Sequence, residues 1–185
     1  MKQIILCFFV LIGSATIKAQ DMDGWTVYMT PNEIHKMLSE YTGEFNMEIA
    51  MWMIDGDDPI IVKVSSVNKM ILGGGFLEMR QSGEMMGMEY QSLSILGYNT
   101  ISKSLGLTTI TNMGTGFLYL EGTWDEEKKV ATLKGQMTNP MDGKIIKILQ
   151  QISFIDKDNL LVENFDTYEG QPAKKSLQYK LVRKK

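Results

Sequence analysis

The stretch Thr42-Gly43-Glu44-Phe45-Asn46-Met47-Glu48-Ile49-Ala50-Met51-Trp52-Met53 decides the fold. Phe45, Met47, Ile49, Met51 and Met53 alternate with Glu44, Asn46, Glu48 and Ala50. Successive side chains leave opposite faces of a pleated strand, so this pattern is a β-strand with one apolar face. Just upstream the period is different. Ile34, Met37, Leu38 and Tyr41 recur at helical spacing, which predicts one short helix over Pro31–Tyr41, stopped by Gly43. Thr30-Pro31-Asn32-Glu33 reads as its start, with Thr30 as cap, Pro31 in the first turn and Glu33 three residues after the cap. Residues 20–30, polar apart from Trp25, Tyr28 and their neighbours, read as a lead-in.

Downstream, strand-like segments run to Arg183 between clusters of turn residues. The clusters are Asp55–Pro59, Gly73-Gly74-Gly75, Ser82-Gly83-Glu84, Gly97–Thr100, Asn112–Gly116, Asp125–Lys128, Asn139–Gly143, Asp156–Asn159 and Glu169–Pro172. About ten strands result, with short connections and no helix between them. Parallel neighbours would need long crossovers, so the pairs should be antiparallel. Closing such a meander removes its exposed edges. The expected fold is therefore all-β: an antiparallel up-and-down β-barrel of residues 31–185 with one short N-terminal helix. A two-sheet sandwich is the other arrangement the pattern allows.

The first nineteen residues read as an export signal. Lys2 supplies the basic start, Ile4–Ile12 is apolar, and Gly13, Ser14 and Ala15 lead to an expected cut after Ala19. The apolar run is short for a membrane span, and no later segment is long enough. The expected product is periplasmic or secreted. Its removal takes away Lys2, Lys18 and the one cysteine, Cys7. No internal disulfide is then available, so packing and hydrogen bonds must hold the fold. The whole chain of 185 residues carries a net charge of −3, and losing two lysines makes it more acidic. An acidic chain is a poor match for nucleic acid.

Catalytic equipment is sparse. His35 is the one histidine; metal sites want several convergent ligands, so a helix-surface or cap contact is the better reading. Asp55, Asp57 and Asp58 lack the spacing of a calcium loop and read as a turn. Gly73-Gly74-Gly75 lacks the ending of a phosphate loop and reads as a bend. Glu44 and Glu48 share the polar face of their strand and read as outer positions rather than an acid–base pair. No catalytic residue, metal or cofactor is assigned. The chain has 15 methionines, and Met suits apolar surfaces that adapt to variable shapes. Candidate cavity residues are Met47, Ile49, Met51, Met88, Tyr90, Phe117, Tyr119, Phe154 and Tyr179. The functional expectation is a barrel that binds a small apolar or amphipathic ligand. The alternatives are a barrel enzyme of isomerase or hydrolase type with few catalytic groups, or a structural protein of the envelope.

Several motifs occur in a familiar order: Pro31–Leu38, Thr42-Gly43-Glu44-Phe45, Gly73-Gly74-Gly75-Phe76, Gly97-Tyr98-Asn99, Asn112–Gly116, Gly122-Thr123-Trp124-Asp125 and Asp142-Gly143-Lys144. Together they resemble the bacterial domain-of-unknown-function family numbered 1579. The resemblance implies a barrel and export and no particular activity. The architecture is also similar to the calycins, the lipocalins and fatty-acid-binding proteins. Gly43 and Phe45 stand for their Gly-x-aromatic at the first strand, and Arg183 for their last-strand arginine. In a closed ten-strand meander the first and last strands are antiparallel neighbours, so Gly43, Phe45 and Arg183 are expected to form a structural latch; the alternative is that Arg183 belongs with Lys184 and Lys185 in a solvated basic tail. The Arg183 guanidinium would stack on Phe45 and donate to carbonyls of the helix segment.

Overall fold

The computed structural model describes residues 19–53 and 57–185. The proposed signal segment, up to residue 18, and residues 54–56, which take in the start of the first expected turn, lie outside the described residues. Ten strands follow in sequence: β1 (Gly43–Met51), β2 (Ile60–Ile71), β3 (Phe76–Met85), β4 (Met88–Asn99), β5 (Ser104–Thr111), β6 (Phe117–Asp125), β7 (Val130–Thr138), β8 (Ile145–Asp156), β9 (Asn159–Thr167) and β10 (Lys174–Arg183). Each pairs antiparallel with its chain neighbours, and β1 pairs with β10, so the sheet is a closed barrel. The closing register sets Phe45 opposite Arg183 and Met51 opposite Leu177.

The meander gives the barrel two unlike ends. The β1–β2, β3–β4, β5–β6, β7–β8 and β9–β10 connections gather at one end, called here the mouth. The start of β1 and the end of β10 lie at the other. Two helices precede the barrel: the lead-in forms α1 (Ala19–Met29), and α2 (Glu33–Ser39) is the short helix expected before the strands. Helix α2 packs against β2, β3 and β4 and closes the second end. Leu38 on the helix and Tyr41 and Phe45 after it are buried.

The start of α2 differs from expectation. Asn32, not Thr30, is its N-cap: the Asn32 side chain accepts from the Ile34 N–H at 3.1 Å. The third helical residue, His35, returns a bond by accepting from the Asn32 N–H at 3.0 Å. Thr30 instead ends the preceding helix, its hydroxyl donating to the Thr26 carbonyl. With α1 running to Met29, Thr30-Pro31 becomes the link between two helices.

Two turns shift as well. Ser82-Gly83-Glu84 lies inside β3, and the hairpin turns at Met86-Gly87, both with positive φ. That is the two-residue turn whose twist suits a hairpin. Gly97 lies inside β4 under the Phe76 ring, and the chain turns after Asn99.

The wall is drawn in tightly between β6 and β7. A Cβ on Gly122 would stand 1.9 Å from the Thr132 carbonyl oxygen, and one on Gly135 would stand 2.3 Å from that of Tyr119. Only glycine allows this approach.

Candidate functional site

The closed end is organised around Arg183. Its guanidinium lies 4.6 Å from the Phe45 ring centroid, within cation–π range. Nε donates to Asp158 at 2.8 Å. The terminal nitrogens donate to the carbonyls of Glu40, Thr42 and Lys157. Thus one side chain ties the α2–β1 link to the β8–β9 turn and the last strand. Gly43, at φ +116°, turns the chain into β1, and a Cβ there would meet the guanidinium at 2.9 Å. Beneath the latch, Tyr41 packs edge-on to Phe154 and Phe154 to Trp124, with centroids 5.0 and 5.4 Å apart. Burial pushes the Tyr41 hydroxyl up to about 12, with Glu40 and Asp156 adding to it and Arg183 opposing. Asn68 donates to the Tyr41 carbonyl and accepts from Ser66, so these buried polar groups pin the link between helix and strand.

Two depressions stand out. The larger, about 600 Å3, is an open groove on the outer wall of β3–β6 beside α1. Its polar groups are largely paired with each other: Ser104 and Tyr119 both donate to Glu121. The smaller, about 90 Å3, is inside the barrel. We take the interior as the candidate site, because a buried polar atom in its lining, the Asn164 Oδ1, lacks a partner.

The interior cavity is polarised along the barrel axis. Toward α2 it is apolar, walled by Leu77, Leu96, Phe154, Leu160 and Leu181. Met47, Met79, Leu107, Ile152 and Val162 form its middle. Toward the mouth it meets a belt of uncharged polar side chains: Gln81, Tyr90, Ser92, Ser94 and Thr109 on one side, and Gln150, Asn164 and Tyr179 on the other. Inward parity places them there, since Gln150 continues the Ile146, Ile148, Ile152 and Phe154 face of β8.

The serine and threonine hydroxyls of the belt find partners. Ser94 and Thr109 bond at 2.9 Å, and Ser92 donates to the Ile110 carbonyl. The amides do not. Gln150 and Asn164 are directly opposed across β8 and β9, yet neither side chain, nor that of Gln81, bonds to another described residue. The Asn164 Oδ1 is fully enclosed and unpartnered. Burial raises the Tyr179 hydroxyl strongly, helped by the nearby Tyr90 and Asp166, and raises Tyr90. Both phenols are therefore neutral at ordinary pH. Among the described residues no Asp, Glu, His, Lys or Arg lines the cavity.

Of the nine cavity candidates, Met47, Tyr90, Phe154 and Tyr179 line this cavity. Ile49 and Met51 are buried beside it without reaching it. Met88, Phe117 and Tyr119 do not belong. Met88 begins β4 at the rim and is 52% exposed. Phe117 and Tyr119 point outward from β6, 75% and 51% exposed, because Leu118, Leu120 and Trp124 take the inner face. His35 is a cap contact, and it is also buried, with its ring edge-on to Tyr98. Among the described residues no group of three or more His, Cys, Asp or Glu converges as a metal site. No described helix is long and apolar enough to cross a membrane.

A closed ten-stranded antiparallel barrel, plugged by a short helix and latched by a last-strand arginine, is a calycin-like domain. Residues 30–183 match the family described as "Protein of unknown function (DUF1579)", and the chain belongs to that family. No curated protein matches it.

Proposed function

We propose that this protein is exported and binds a small amphipathic molecule inside its barrel. The supporting observation is the interior cavity, with an apolar floor toward α2 and an uncharged polar belt toward the mouth. An amphiphile entering tail-first would match both halves. The cavity of about 90 Å3 is well below the usual range of roughly 300–1,000 Å3 for drug-sized ligands. The ligand is therefore small, or it displaces the adaptable side chains of Met47 and Met79. Export is supported by the basic start, short apolar run and small residues before Ala19.

Native mass spectrometry of protein purified from the exported fraction tests both parts. The expected species starts at Gln20 and carries a small-molecule adduct that is lost on unfolding. An intact Met1 on membrane-bound protein overturns export. Ligand-free protein that takes up apolar probes only when partly unfolded overturns the binding reading.

A further inference from the structure

We infer that the ligand's head group is uncharged and hydrogen-bonding, of the amide or alcohol class, and that Gln81, Gln150, Asn164 and Tyr179 receive it. The inference rests on the interior being a binding cavity and goes on to name the chemistry recognised there.

It starts from Asn164. This residue is 5% exposed, and its Oδ1 has no partner. A buried acceptor without a donor is a standing destabilisation, and native proteins rarely keep one unless something else supplies the bond. Gln150 stands directly across the strand pair and is also buried, yet the two amides do not bond to each other. Gln81, across the lumen, is likewise buried and unbonded. Three amides from three strands thus present both donors and acceptors to one small space. A primary amide or an alcohol offers both in return.

Charge decides between head groups. A carboxylate or ammonium in an enclosed site needs a counter-charge, and the lining has none. The inward position after Asn164 on β9, one step toward the mouth, is Asp166. Burial pushes that carboxyl up toward its neutral form and it is not part of the lining, so it supplies no ready counter-charge for an ammonium, while any charge it keeps opposes an anion. The arginine at the closed end is already committed to Phe45, Asp158 and backbone carbonyls. It is not free to meet a ligand carboxylate.

The test uses four probes with one tail: hexanamide, hexan-1-ol, hexanoate and hexylammonium, titrated calorimetrically into the full mature protein at pH 7. The two neutral probes should bind at least about tenfold more tightly than the two charged ones. Asn164→Leu should weaken hexanamide by about tenfold, with a melting temperature unchanged or raised because an unpaired amide is gone. Gln150→Leu serves as the second variant. A charged probe binding as well as hexanamide overturns the head-group inference and leaves the cavity reading standing. So does wild-type hexanamide affinity in both variants. If no probe binds the native protein, both readings fall.

Discussion

At the scale of single residues, Arg183 has the largest structural role. It is partly buried, stacked on Phe45, paired with Asp158 and bonded to three backbone carbonyls. Truncation strips the partners of a charge-assisted network, and each such bond is worth roughly 1.5–3 kcal/mol. Water reaches part of the site and restores some of that. Arg183→Ala should lose about 2–3 kcal/mol in urea unfolding. Phe45→Leu should be less than additive with it, since they share a contact. A double-mutant cycle with full additivity would remove the latch from the account. The latch was readable because Phe45 and Arg183 end apolar faces on strands that a closed meander makes neighbours. The polar belt was harder to read. Gln150 interrupts the isoleucine face of β8 at an inward position, and Asn164 does the same on β9. Each looks like a break in a pattern until closure shows them opposite one another. On β6 the alternation is silent, because Phe117, Leu118, Tyr119 and Leu120 are apolar on both faces.

At the scale of elements, α2 is the plug, and its capping box contains the one histidine. Burial holds the His35 imidazole below its ordinary value, with a backbone hydrogen bond at Tyr98 opposing. The neutral ring accepts the Asn32 N–H; a protonated Nδ1 cannot, though it can donate to the Asn32 Oδ1 2.9 Å away, so it is the burial of the ring that sets the direction. The unfolded chain therefore binds the proton more readily than the folded one. The contribution of His35 is present above its unfolded value of about 6.5 and is lost as pH falls through its lower folded value. Acidification from pH 7.5 to 5 should lower the melting temperature of the native chain more than that of His35→Gln, which keeps a capping acceptor without titrating. Equal slopes for the two proteins would show that the plug is indifferent to protonation. The helix itself was legible from Ile34, Met37, Leu38 and Tyr41. Its cap was displaced because α1, whose described side chains are exposed, gives no periodic signal. The β3–β4 turn was misplaced for a related reason. Gly83 looks like a turn residue, whereas it faces Val64 on β2 inside the sheet.

At the scale of the whole molecule, strand number, antiparallel order and closure all followed from short connections and alternation. The amount of empty space inside did not. Ten strands enclose a lumen that side chains largely fill, leaving about 90 Å3, and that balance depends on side-chain packing no alternation pattern reports. The mouth has a further consequence. Four of its connections carry exposed methionines: Met53, Met86, Met113 and Met141. Met47 and Met79, deeper on the same axis, are buried. Thioethers oxidise to sulfoxides roughly in order of access. Limited hydrogen peroxide followed by peptide mass mapping should find sulfoxide at Met141 first, then at Met29 on α1 and at the other rim positions. Met47 and Met79 should remain thioethers while the barrel stays folded. Early oxidation of Met47 would mean the lumen is open to solvent. In an oxidising exterior the rim would thus act as a sacrificial collar, taking up oxidant before it reaches the sulfur atoms that shape the cavity.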